Sequence, residues 1–482
     1  MIPTQNPLAA VIAANRFGLG ARPGELPVIE KGPEAWLSRQ LTGRAPVLTG
    51  EGLKPSSETL KQAIALRDEM AEARRDRKDG DEDAAKIRTA LKLPALYRPV
   101  YIDEAYARFS QAISTDRPFL ERLTQFWSNH FAVSIDKIVV LGIAGAMERE
   151  AIRPHVTGHF PDLLLAVEKH PAMLLYLDNQ ASIGPNSRAA SFLKRRGNAQ
   201  GGRKLDINEN LAREILELHT LGVDGGYTQA DVTTFAKAIT GWSIGGEAGN
   251  RRFAKLGIPN GEPGEFFFRE VFHEPGAKNL LGKSYDEDGV RQGEAILKDL
   301  AQRRETAHHV STKLARHFIA DDPPVAVVDR MTRAWLDSHG NLPKVYAAML
   351  ESPEAWSQPL AKFKTPADYI YSSYRALGVP LTEKRRSLAA FEVLGQRNLQ
   401  PGSPAGWPDT SADWDGSSAL LKRIAWADAA AQRLGSTRNA RELAPQLLGA
   451  TLSDDTAKAI GRAESASQAL TLLLSAPEFM RR

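Results

Sequence analysis

Apolar residues recur along most of this chain at intervals of three and four, the spacing that lines one face of an α-helix. The first such segment covers residues 8–17 and closes on Arg16-Phe17-Gly18-Leu19-Gly20, where two glycines mark a helix end and a turn. Pro33-Glu34-Ala35-Trp36-Leu37 opens another helix, because proline is tolerated in a first turn. Between Tyr97 and Phe131 two stripes stand out: Ala105, Phe109, Ala112 and Ile113, then Leu120, Leu123, Trp127 and Phe131. The helical pattern continues over 138–152 and 161–177 and resumes at 208–221, where Gly222 and Gly225-Gly226 stop it. It returns from 290 to the C-terminus, interrupted near 322–324, 378–380 and 401–408.

Three stretches depart from this pattern. Residues 57–92 alternate in charge and predict one or two solvated helices forming an arm, broken near Asp79-Gly80-Asp81. Residues 183–207 are rich in Gly, Ser, Asn and Arg and predict a long mobile loop. Between about 244 and 285, glycines, prolines and Phe266-Phe267-Phe268 predict short strands. Just before it, Thr228 stands three residues ahead of Asp231, the spacing of a capping box. There is no fixed-period repeat and no strand–helix alternation. The expected architecture is mainly α: one large single-domain helical array over 1–482 with a small β-hairpin insertion near 244–285.

Composition narrows the function classes. The 482 residues are 42% apolar and 25% charged, which supports a packed globular core. Sixty-two cations face 58 anions, and the runs Lys194-Arg195-Arg196 and Lys384-Arg385-Arg386 are isolated, so nucleic-acid binding is not expected. The absence of cysteine excludes disulfides, thiolate chemistry and cysteine-based metal sites. The N-terminus lacks the basic and apolar regions of a secretory signal, and no apolar window reaches the ~20 residues of a membrane span. As written, the chain is expected in the cytoplasm.

Chemistry concentrates on 208–221. Asn210, Arg213, Glu214, Glu217 and Thr220 form a polar helical stripe, with Leu211, Ile215, Leu216 and Leu218 on the other side. His219 falls with Ala212, Ile215 and Leu216 and reads as packed. Two glutamates one turn apart can share a proton or a cation, and Arg213 can hold one ionised; a solvent-facing salt-bridge stripe is the alternative. His130, beside Phe126 and Trp127, is either packed or a desolvated base. Arg149 and Arg153 share a face in a segment dense with ionisable groups. Asp178 and Asn179 end an apolar helix as turn formers or ligand groups. His273 and Lys278 lie on a tight turn after the β-like segment. No zinc-protease, phosphate-loop, nucleophile-elbow or dinucleotide motif occurs, and Glu305-x-x-His308 lacks the second pair a diiron site needs.

The expected site therefore has Glu214, Glu217, Arg213 and His130 as catalytic candidates, with Asn210, Arg153, Asp178, Asn179, His273 and Lys278 as ligand-binding walls. No metal is specified, and a divalent cation is the one cofactor the carboxylates suggest.

Six ordered segments carry a resemblance: Arg16-Phe17-Gly18-Leu19-Gly20, Phe126-Trp127-Ser128-Asn129-His130-Phe131, Tyr176-Leu177-Asp178-Asn179, Glu209-Asn210-Leu211-Ala212-Arg213-Glu214, Gly226-Tyr227-Thr228-Gln229-Ala230-Asp231-Val232 and Gly406-Trp407-Pro408. Together they resemble the bacterial family catalogued as domain of unknown function 1800, from about residue 8 to the C-terminus. The resemblance implies one mostly helical architecture and brings no established reaction. Its members are often exported and often encoded beside a sulfatase-like secreted family; this chain departs from that pattern by lacking a visible signal, which weakens the case for export and for an extracellular partner. Two functional expectations result: a hydrolase-like enzyme acting through the 208–221 helix, or a non-catalytic binding or accessory protein working with a protein partner.

Overall fold

The computed structural model describes residues 6–76, 82–195, 207–246, 259–357, 359–434 and 437–482. It is mainly α, with 61% of the chain helical against 4% in two small two-stranded sheets. Helix starts follow local chemistry. Asn6 accepts from the amides of Leu8 and Ala9 to open helix Pro7–Ile12. Thr228 and Asp231 form the reciprocal capping box that opens helix Gln229–Ala238. Thr365, Ser453 and Ser465 cap later helices by accepting a backbone amide on the side-chain oxygen.

One continuous apolar core runs from Ala10 to Met480. Both predicted stripes lie in it: Phe109, Leu120, Leu123, Trp127 and Phe131 are fully buried. The two ends of the chain meet there. Lys362 and Arg482 exchange backbone hydrogen bonds, and the Arg482 guanidinium lies 3.5 Å from the Arg16 carbonyl.

Strand β1 (Trp242–Ile244) pairs antiparallel with β2 (Phe266–Phe268), and β3 (Lys278–Leu280) with β4 (Lys283–Tyr285). The described part of the insertion thus holds two small ribbons. Trp242 and Ile244 are buried, which docks the first ribbon on the core.

Two expectations change. The charged segment is not a free arm. Helix Ser56–Asp76 docks through its first turn, where the Ser56 amide and hydroxyl both donate to Glu150, and the next helix runs on from Glu82 to Ser114 past Pro94 and Pro99. The predicted break at 79–81 and most of the Gly-rich loop, 196–206, lie outside the described residues. The start of that loop is a helix, Arg188–Arg195, because Ala189 and Ala190 pack with Ile183 and Phe272 in a small satellite core.

Gly20 shows how tightly the N-terminal segment is fitted. It has φ +96°, and a Cβ there would lie 2.5 Å from Ser372 Cβ. Gly20→Ala is expected to lose about 2–4 kcal/mol, from the left-handed conformation and overpacking together. Urea unfolding of the variant measures it; an unchanged midpoint would contradict the close approach.

Candidate functional site

The 208–221 segment is not one regular helix. Helix Asn210–Glu214 passes into a wide π-helical turn, Ile215–His219. Thr220 donates to the Ile215 carbonyl at 2.6 Å, and Gly222 leaves the turn at φ +86°. The wide turn rotates the residues after it out of the regular helical repeat. Thr220, expected on the polar stripe, is therefore buried, while His219 is buried as its apolar neighbours suggest. His219 Nδ1 lies 2.8 Å from Glu168 Oε1, and both side chains are shut off from solvent.

The polar face splits in two. Arg213 donates to Glu209 at 3.2 Å and to Gln229 at 2.9 Å. Gln229 and Thr233 also donate to Glu209, so this cluster straps the segment to helix Gln229–Ala238. Arg213 is thus committed to Glu209 rather than to Glu214. Glu214 and Glu217 are half-buried and make no hydrogen bond or ion pair to a described residue. Burial raises the Glu214 proton affinity, and Glu217 adds to it against the opposing pull of His219 and Arg213. Two tyrosines share this field. The Tyr176 hydroxyl is raised by burial and by Glu214, and that of Tyr227 by burial and by Glu217. The charges of the two carboxylates thus reach Tyr176 of the Tyr-Leu-Asp-Asn segment and Tyr227 of the Gly-Tyr-Thr segment.

The other expected residues lie elsewhere or serve the fold. Asn210 is exposed, and its amide donates to Asn208. Asp178 takes φ +58° and pairs with Lys137 at 2.7 Å. Asn179 is buried and donates to the carbonyls of Ile239 and Trp242, which fixes β1. His130 is buried among Phe126, Trp127, Phe131 and His219, with Nε2 3.2 Å from the His219 carbonyl. Burial holds its pKa well below the ordinary value, so it is packed and neutral. His273 Nδ1 lies 3.1 Å from the Thr240 carbonyl. The Lys278 ammonium caps the carbonyls of Glu274, Pro275 and Gly276. Among the described residues, no three His, Asp or Glu side chains converge as metal ligands.

Arg153 belongs to a different cluster. It pairs with Glu121 at 2.6 Å and with Glu148 at 2.7 Å, and Glu148 also takes Arg108 at 2.7 Å and the Ser128 hydroxyl. Burial works against the Glu148 charge, but Arg108 and Arg153 outweigh it and hold its pKa at about 2.

Sequence reasoning missed two further groupings. Asp368 lies between Arg122, at 2.9 Å, and Arg482, at 3.1 Å, in a fully buried triad. Beside it, His317 Nδ1 donates to Asp409 at 2.9 Å, and burial keeps His317 below its ordinary pKa. Asp368, His317 and Asp409 line a small cavity of about 90 Å³ with Ser128, Asn129 and Glu148. Asn129 clamps Trp407 from both sides, donating to its carbonyl at 2.8 Å and accepting from its amide at 2.7 Å. Gly406-Trp407-Pro408 and Phe126-Trp127-Ser128-Asn129 were legible as motifs; that they touch was not.

A continuous apolar core with buried ion networks and a half-buried acidic face defines a mainly α protein. The chain belongs to the family described as Protein of unknown function (DUF1800), whose model matches residues 12–481. Comparison with curated proteins and with solved structures returns no match.

Two stability measurements test this geometry. Glu148 has its pKa lowered from 4.5 to about 2 on folding, so its contribution is fully present above pH 4.5 and is lost as pH falls towards 2. That contribution is roughly 3 kcal/mol. Glu148→Gln is expected to lower stability at pH 7 by about 3–5 kcal/mol, by taking from Arg108 its carboxylate and leaving Arg153 with Glu121 alone, and to flatten the acid limb of a melting-temperature profile. A wild-type slope in the variant would contradict this. Glu214→Gln removes a carboxylate with no described partner and is expected to change stability at pH 7 by no more than about 0.5 kcal/mol. A loss of several kcal/mol on thermal unfolding would place Glu214 in a structural network instead.

Proposed function

We propose that the chain is a hydrolase-like enzyme in which Glu214 takes a proton from the attacking water and Glu217 is its partner carboxylate. The observation that carries this reading is the state of Glu214: half-buried, raised in proton affinity by its surroundings and unused by the described fold. A raised carboxylate affinity is the direction a general base needs near neutral pH. The π-helical turn after Glu214 supports the reading, because such turns often accompany functional sites. Tyr176 and Tyr227 would supply the flanking surface against which a substrate is oriented, and Arg213 would fix the position of the helix through Glu209. The two glutamates could also hold a divalent cation, which would then orient the water.

A second reading, a non-catalytic binding or accessory protein, is favoured by one observation. Neither Glu214 nor Glu217 lines the cavity of about 90 Å³ or the larger one, of about 270 Å³, among the C-terminal helices. Catalytic groups normally sit in a concave site.

One experiment separates the readings. Purified protein is assayed, with and without added Mg²⁺, Ca²⁺ or Zn²⁺, on chromogenic glycosides, esters, phosphoesters and peptides. The enzymatic reading expects turnover by the wild type and a loss of about 100-fold or more in Glu214→Gln, whose melting temperature is retained. No turnover by the wild type, or full turnover by a folded Glu214→Gln, rejects it in favour of the binding reading.

A further inference from the structure

The larger cavity lies between helices Pro366–Leu377, Lys384–Val393 and Ser417–Leu434, and it is unrelated to the acidic face. Its volume is about 270 Å³, close to the lower end of small-molecule sites. Leu377, Val379, Val393 and Leu434 line it with three alanines, and Tyr374 and Trp426 supply its rings, with centroids 6.5 Å apart. The remaining lining residues are Arg386 and Arg433.

The polar chemistry of this lining is one-sided. Both arginine side chains are exposed, and neither makes a salt bridge or a side-chain hydrogen bond to a described residue. The carboxylate of Glu383, near Arg386, is taken up by the amides of Arg385 and Arg386 at its helix start. Both guanidinium groups act on the Tyr374 hydroxyl and oppose the rise that burial gives it, so positive potential reaches into the cavity. The Tyr374 hydroxyl and the Trp426 indole N–H also have no described hydrogen-bond partner. Among the described residues, no carboxylate lines the cavity. The site therefore offers an apolar chamber, hydrogen-bond donors and two cations, with no carboxylate among its lining residues to pair with an ammonium group.

We propose that this cavity binds an apolar monocarboxylate, with the hydrocarbon between Tyr374 and Trp426 and the carboxylate on Arg386 and Arg433. Arginine suits this task because its planar fork matches a carboxylate. Burial of the hydrocarbon supplies the affinity, and the two cations select the acid over a neutral or cationic analogue of the same length.

Isothermal titration of the full chain with octanoate, octanol and octylammonium tests this. Octanoate is expected to bind saturably at one site, and octanol and octylammonium at least about tenfold more weakly. An Arg386→Ala/Arg433→Ala double variant, altered only at exposed positions, is expected to keep its melting temperature and bind octanoate about tenfold or more weakly. Ala430→Trp, which fills the chamber, is expected to abolish binding. The proposal is overturned if octanoate does not bind, if octanol binds as tightly as octanoate, or if the double variant binds octanoate like the wild type. None of these results bears on Glu214.

Discussion

The structure depends on charges that have been taken out of water and must find each other there. Asp368 is buried between Arg122 and Arg482, so three segments widely separated in the chain close on one carboxylate. Arg153 performs the same closure between Glu121 and Glu148, and Arg108 joins it. An unpaired ion in such surroundings costs several kcal/mol, far more than an exposed salt bridge returns. Apolar helices alone could slide past one another at modest cost. Here a slip of one turn strands an arginine or a carboxylate, and the penalty falls on every alternative register.

Three wide helical turns cooperate with these ions. Ala13–Phe17, Glu148–Ile152 and Ile215–His219 are π-helical, and each carries a buried ionisable side chain. In the first, Arg16 reaches the carbonyls of Ala355 and Ser357. In the second, Glu148 faces Arg108, Arg153 and Ser128 together. In the third, His219 meets Glu168. A π-turn inserts an extra residue into the helical repeat, which rotates the next face without ending the helix. That rotation lets one helix present an apolar stripe and an ion to the same interior.

Much of the fold was legible in the sequence for simple reasons. The stripes at Phe109–Ala112 and Leu120–Phe131, the capping box at Thr228 and the β character of the Phe266-Phe267-Phe268 run all depend on neighbours within a few residues. The packing of His219 was readable in the same way, since Ala212, Ile215 and Leu216 share its face. The burial of Thr220 was not, because a regular repeat cannot reveal a π-turn. Nor could spacing show that Arg153 belongs with Glu121, that Arg213 is held by Glu209, or that His317 meets Asp409. Those are long-range pairings, or choices between two nearby carboxylates, and only packing decides them.

The ion networks also bear on where chemistry can reside. Most polar residues in the six motif segments have structural tasks. Asn129 clamps Trp407, Asn179 fixes β1, Arg213 ties two helices through Glu209, and Asp231 caps one helix while accepting from the Leu281 amide. A residue so engaged would have to give up its partner before meeting a substrate, and that partner would then be left buried and unpaired. Glu214 and Glu217 carry no such obligation to a described residue. They stand on a segment held from below by His219 and Glu168 and from the side by Glu209, Gln229 and Thr233. A carboxylate on a braced helix, with its own lone pairs uncommitted, can change protonation or take a ligand without disturbing the core. The same separation of duties holds at Arg386 and Arg433, where two cations stand at an apolar chamber while the buried Arg122, Arg153 and Arg482 are each held by a carboxylate.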